Sequence, residues 1–184
     1  MPVSLIVLLI IVLLIIILVV LYNRLTKQRI LVKEGWSGIG TFLQQRNDLI
    51  PNLVETVKGY ALHESSTLAE VIKWRNKSIA AGTPAEKMEA GNGMNRALVD
   101  FFALAEQYPD LKANQNFLSL QTDLKEMETK INQSRRYYNA TVRNYNQSVA
   151  TFPGNLVAGL FGFREESFLQ EDNAAREVPK VSFK

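Results

Sequence analysis

The chain has 184 residues, enough for one domain beyond a membrane segment, with no cysteine and a single histidine, His63. Disulfides, thiol nucleophiles, thiolate metal centres and multi-histidine metal sites are thereby excluded. The net charge of +3 is unevenly placed: residues 1–33 hold Arg24, Lys27, Arg29 and Lys33 and no acid, whereas residues 34–184 hold 17 basic and 18 acidic side chains. The later part gives no support to nucleic-acid binding.

Leu5 to Leu21 is an unbroken run of seventeen Leu, Ile and Val residues. At ~1.5 Å per residue a helix over Val3–Tyr22 measures roughly 30 Å, the thickness of a hydrocarbon core. Each residue favours insertion by ~0.3–0.6 kcal/mol, so the run contributes on the order of 5–10 kcal/mol. No basic residue precedes it and no small-x-small cleavage site follows it, which favours a retained anchor over a cleaved signal. The membrane-boundary residues Arg24, Lys27, Arg29 and Lys33 all lie just after the span. The positive-inside rule then places the N-terminus outside and residues 23–184 in the cytoplasm.

Beyond Tyr22, which suits the membrane interface, the helical pattern continues. Leu25, Val32, Trp36, Ile39, Leu43 and Ile50 fall at heptad a/d spacing, a coiled-coil-like seam. Gly35, Gly38 and Gly40 lie inside it and are read as close packing beside Trp36, with a hinge as the alternative. Asp48-Leu-Ile-Pro51 reads as a break and restart, with Pro51 in the first turn of a new helix and Asn47 or Asp48 as its cap. That helix buries Leu53, Val54, Val57, Tyr60, Ala61, Leu68, Val71, Ile72 and Ile79 on one face. Ala81-Gly-Thr-Pro84 ends it, and Thr83-Pro-Ala-Glu86 is a capping box that starts the next. The third helix, to about Gln107, is apolar at Met88, Met94, Leu98, Phe101, Phe102 and Ala105, and weakened by Gly91 and Gly93. After Tyr108-Pro109-Asp110, residues 115–150 lack proline and glycine. Phe117, Leu120, Leu124, Met127, Ile131, Tyr138, Val142, Tyr145 and Val149 follow helical spacing there. Asn132, Asn139 and Asn146, seven apart, read as a polar flank rather than as amide bonds that fix helix register.

Three blocks resemble the LemA family: Arg46-Asn-Asp-Leu-Ile-Pro-Asn-Leu-Val-Glu-Thr-Val-Lys-Gly-Tyr-Ala61 with His63-Glu64, Arg135-Arg-Tyr-Tyr-Asn-Ala-Thr-Val-Arg-Asn-Tyr-Asn146, and Phe152-Pro-Gly-Asn-Leu-Val-Ala-Gly-Leu-Phe-Gly-Phe163. With the anchor, the resemblance covers nearly the whole chain. It implies a small bacterial membrane protein with an elongated antiparallel helical body, and it carries over no catalytic residue.

The candidate chemistry is thin. His63-Glu64 lacks the second histidine of a zinc motif, since position 67 is Thr67. Glu64 is better placed for a structural ion pair, with Arg75 and Arg135 available, than for acid–base work. No phosphate loop is present. Phe152, Leu156, Val157, Leu160, Phe161 and Phe163 form an apolar block too short to span a bilayer. Gly154, Ala158 and Gly162, four apart, permit close backbone contact. The block reads either as a cover over the end of the bundle or as a self-association or membrane-contact surface, and both stay open.

The expected fold is all-α, with a single N-terminal transmembrane helix leading into an elongated antiparallel bundle of three to four long helices. Residues 1–22 form the anchor and 23–151 the bundle. Residues 152–184 form the apolar block and tail, packed on the bundle, the membrane or a neighbouring subunit. The expected role is that of a non-enzymatic, self-associating scaffold at the bacterial inner membrane, without cofactors. Its partners would be the lipid bilayer, further copies and some membrane protein, and not nucleic acid. An adaptor or regulator of a membrane-bound protease or signalling protein is the alternative.

Overall fold

A computed structural model describes residues 2–60 and 65–169. All regular structure among them is helical: α1 Val3–Lys58, α2 Ser65–Ala80, α3 Pro84–Ala105, α4 Pro109–Lys112, α5 Gln115–Ala150 and α6 Gly154–Phe161. The first 56-residue helix contains an 18-residue window of mean hydropathy 3.9, none of it buried. This segment is long and apolar enough to cross a membrane. The chain divides into two units, one of Met1–Gly38 with Ser134–Phe168 and one containing Ile39–Gln133, so α1 and α5 each contribute to both.

In the second unit, helices pair antiparallel around one apolar core. Ile50, Leu53, Val54 and Val57 of α1 meet Leu68 and Val71 of α2, Met94, Leu98 and Phe101 of α3, Leu111 of α4, and Phe117 and Leu124 of α5. The expected stripes of α3 and α5 supply these contacts, whereas Ile72 and Ile79 of α2 remain exposed. Thr83 caps α3 as the capping box predicts: its Oγ1 accepts from the Glu86 N–H at 3.2 Å, and Glu86 Oε2 accepts from the N–H groups of Thr83 and Gly82 at 3.0 and 2.9 Å. The Thr83 N–H foremost, with that of Gly82, holds the Glu86 carboxyl below its usual range.

The expected break at 47–51 does not occur. Helix α1 runs through Pro51 and ends at Lys58. A proline inside a helix has no N–H to offer the carbonyl four residues earlier, here that of Asn47. Arg75 supplies the missing donor from α2, its Nε reaching the Asn47 oxygen at 2.9 Å. Asn47 Nδ2 also donates to the buried Ser78 Oγ at 2.9 Å, so α2 lies against the proline step. Gly93, expected to weaken α3, instead admits Trp74, since a Cβ there would lie 2.3 Å from the indole ring.

The first unit packs the early part of α1 against the end of α5. Leu25 and Val32 are buried on α1, and Tyr138, Val142 and Tyr145 on α5. A Cβ on Gly35 would sit 3.3 Å from the Tyr138 Cα, and the Trp36 and Tyr138 rings meet edge to face at 6.0 Å. Close packing beside Trp36 therefore holds at Gly35. Gly38 has open space around it.

Candidate functional site

Two places hold side chains beyond those that a core needs. One is where α6 meets the end of the apolar span of α1. After α5 the chain reverses through Thr151-Phe152-Pro153, and the turn is tight: a Cβ on Gly154 would lie 2.0 Å from the Ser148 carbonyl oxygen. Helix α6 then lays Val157 and the small Ala158 on Leu25 and Leu21, with Val149 and Phe163 completing the cluster. The Tyr22 ring meets those of Phe161 and Phe163 edge to face, at 4.9 and 5.5 Å. Such pairs contribute about 0.5–1.5 kcal/mol each beyond burial. Gly162, at φ 72°, ends the helix in the left-handed region that glycine reaches without strain, and Phe163 N–H returns to the Ala158 carbonyl at 3.0 Å.

The six apolar residues expected to form one surface are thus divided. Val157 and Phe163 turn inward and Phe161 is half covered by Tyr22. Phe152, Leu156 and Leu160 point away from the protein, 78, 64 and 69% exposed. Leu156 and Leu160, four residues apart, share one side of α6, and Phe152 is exposed in the turn that precedes the helix.

Residues 163–168 then run back along α5, held by polar bonds that the sequence did not reveal. Asn146 grips the backbone of Glu166 twice, Nδ2 donating to its carbonyl at 2.8 Å and Oδ1 accepting its N–H at 2.9 Å. The Tyr138 hydroxyl donates to the Ser167 carbonyl at 3.1 Å. Asn146 is therefore not a solvated flank, and it bonds to a returning segment rather than to another helix. Burial raises the Tyr138 hydroxyl above its ordinary pKa, with the Glu166 charge adding to the shift. Tyr145 is raised by burial as well, and Glu166 adds to the shift while Arg29 offsets part of it. Of the four basic boundary residues, Arg24, Lys27 and Lys33 are exposed, and Arg29 faces Glu166 at 3.7 Å. Both partners of that pair are well exposed, so it contributes little.

The other place is a charged cluster inside the second unit. Arg46 has no exposed side-chain surface. Its Nη1 donates to Asn95 Oδ1 at 2.7 Å and to Glu128 Oε2 at 3.0 Å. Glu128 Oε1 accepts from Asn95 Nδ2 at 2.9 Å and from Asn132 Nδ2 at 3.1 Å. The cluster ties α1, α3 and α5 together. A structural ion pair was expected at Glu64, but His63 and Glu64 lie outside the described residues. A lone Arg46 before Asn47-Asp48 gives no signal of burial in the sequence; only its place three residues after Leu43 on the seam hints at it. Among the described residues no group of three or more His, Asp and Glu side chains lies together.

The family model described as the LemA family matches residues 35–183. Among curated relatives, Magnetosome protein MamQ 2 of Paramagnetospirillum magneticum is 26% identical over 164 aligned residues, covering 75% of this chain and 60% of the relative. Magnetosome protein MamQ of Magnetospirillum gryphiswaldense is 24% identical over the same shares of both chains. Protein LemA of Metamycoplasma hominis is 27% identical over 140 residues, covering 74% of this chain and 63% of the relative. The chain thus spans about three-fifths of the length of these relatives.

Proposed function

The chain belongs to the LemA family, and on that premise we propose that it is a non-enzymatic helical scaffold, anchored in the bacterial inner membrane, that associates with further copies of itself. The observation that carries this reading is the bare apolar segment of α1, which continues without interruption into the helical body. An anchor of this kind confines copies to a plane, where weak lateral contacts become effective through raised local concentration. The body offers such contacts, with Tyr137 of the first unit and Ile79 and Val99 of the second exposed on helix surfaces. The boundary residues Arg24, Lys27, Arg29 and Lys33 orient the anchor with the N-terminus outside and the body in the cytoplasm.

Chemical crosslinking in native membranes, followed by sizing after gentle detergent extraction, tests self-association. A ladder of homo-oligomers is expected, and a strictly monomeric species refutes the scaffold. A different chain recovered at fixed stoichiometry would instead establish an adaptor of a membrane protein. Protease treatment of sealed inverted and right-side-out vesicles tests the orientation, and digestion of the body from the outer face would overturn it.

A further inference from the structure

We propose that α6, with Phe152, is a second membrane attachment. The exposed side chains of Phe152, Leu156 and Leu160 lie in the boundary between headgroups and acyl chains, in the leaflet from which α1 emerges. The placement follows from what α6 touches. Its inner face rests on Leu21 and Leu25 and its Phe161 on Tyr22. Leu21 is the last residue of the unbroken Leu/Ile/Val run, and Arg24 is the first charge after it. Leu21 to Leu25 spans only ~6 Å along the helix. A helix docked there sits at the interface, at the ~5–10 Å depth where amphipathic segments lie in the membrane plane.

The composition fits that depth. Residues 152–163 contain no charged side chain, and their large exposed side chains are Phe152, Leu156, Leu160 and Phe161, beside the exposed Pro153, Asn155, Gly159 and Gly162. Charged side chains begin only outside the segment: Arg24 and Lys27 are exposed on α1, and Arg164 follows Phe163 directly, before Glu165 and Glu166. The exposed side chains also continue the uncovered apolar surface of the anchor, because α6 is attached to the end of that surface. The return segment 163–168, clamped by Asn146 and Tyr138, ties α6 to α5 at its far end, so the attachment is made through a fixed element.

This inference rests on the anchor reading above, and the test separates the two. The chain has no cysteine, so single-cysteine variants of the full-length protein carry a polarity-sensitive fluorophore at one site without background. Leu156→Cys, Leu160→Cys, Ile15→Cys and Val99→Cys are each reconstituted in phosphatidylethanolamine–phosphatidylglycerol vesicles. The vesicles carry lipid spin labels either near the top of the acyl chain or near its end. Labels at Leu156 and Leu160 are expected to shift to the blue and to lose more emission to the shallow quencher than to the deep one. The order reverses at Ile15, and neither quencher affects Val99. If Ile15 responds as expected but Leu156 and Leu160 behave like Val99, α6 is not in lipid and this proposal fails while the anchor stands. If Ile15 fails as well, the anchor reading fails with it. Efficient Leu160–Leu160 crosslinking between copies, with no lipid quenching, would assign these side chains to a second copy and overturn the proposal.

Discussion

Replacing Glu128 with leucine should destabilise the second unit far more than replacing Arg46 with methionine. Arg46 is fully buried and Glu128 about a third exposed, their side chains 0 and 30% accessible. Removing the carboxylate takes the Glu128 countercharge away from a guanidinium held in a low-dielectric interior, and breaking a buried pair in this way costs about 3–5 kcal/mol. Partial exposure of Glu128 shifts the expectation to the low end, about 3 kcal/mol. In the opposite substitution, methionine fills much of the arginine's volume. Glu128 keeps the amides of Asn95 and Asn132, at 2.9 and 3.1 Å, and part of its water. The cost falls to about 1 kcal/mol, that of a lost hydrogen bond. The double variant should resemble Arg46→Met, giving a coupling of roughly 2–3 kcal/mol. Denaturation of the detergent-solubilised full chain, followed through Trp74 fluorescence, measures all three. Equal costs for the two single variants, or a coupling under about 0.5 kcal/mol, would refute the claim that a desolvated Arg46 sets the energetics of this cluster.

Arg75→Ala should cost about 1–3 kcal/mol by leaving the Asn47 carbonyl without its donor, and Pro51→Ala in the same chain should recover part of that loss by restoring the helical N–H, as read by denaturation midpoints. Gly93→Ala should cost about 1–3 kcal/mol and shift Trp74 emission, because the new methyl would meet the indole at 2.3 Å. Tyr145→Phe should be neutral or slightly stabilising, since the buried Tyr145 hydroxyl has no hydrogen-bond partner among the described residues. Tyr138→Phe should instead cost about 1 kcal/mol through its bond to Ser167. Both tyrosines titrate above their ordinary 10.0. Their contribution is thus fully present below pH 10.0 and is lost as pH rises through the folded values. Alkaline denaturation scans of the two phenylalanine variants, each losing less stability than the parent above pH 10.0, check the sign.

The sequence displayed those features that repeat. The heptad seam of α1 and the apolar stripe of α5 became buried surface: Leu25, Val32, Ile39, Leu43 and Ile50 on one helix, Phe117, Leu124, Ile131, Tyr138, Val142 and Tyr145 on the other. The capping box at Thr83 was equally legible, because its residue types and spacing are local. What the sequence concealed depends on partners far along the chain. Pro51 reads locally as a helix start, and the donor that replaces its missing N–H comes from Arg75, 24 residues later. Asn146 looks like a surface residue until residue 166 returns to its amide. The apolar block could be seen but not divided, because periodicity within eight helical residues cannot tell which side meets α1. Contacts with Leu21, Tyr22 and Leu25 made that division.

The polar interior and the exposed surface point to the same kind of protein. Glu128 already accepts three donors, from Arg46, Asn95 and Asn132, and a carboxylate so occupied is poorly disposed to take a proton from a substrate. Arg46 bridges Asn95 and Glu128, and Arg75 completes the helix at Pro51. These polar groups of the second unit are therefore engaged in structural bonds, most of them between helices. In the first unit, Asn146 and Tyr138 position a backbone segment, again a structural task. What the fold leaves available is surface, and its most distinctive part is the uncharged segment that exposes Phe152, Leu156 and Leu160 beside the apolar span of α1. Exposed apolar side chains also lie on the body helices, at Ile79, Val99 and Tyr137. If lipid occupies the exposed face of α6, the proposed self-association is left to other surfaces, among them the sides of the body helices. Substitutions at Val99 or Tyr137 should then weaken crosslinking while substitutions at Leu160 leave it intact.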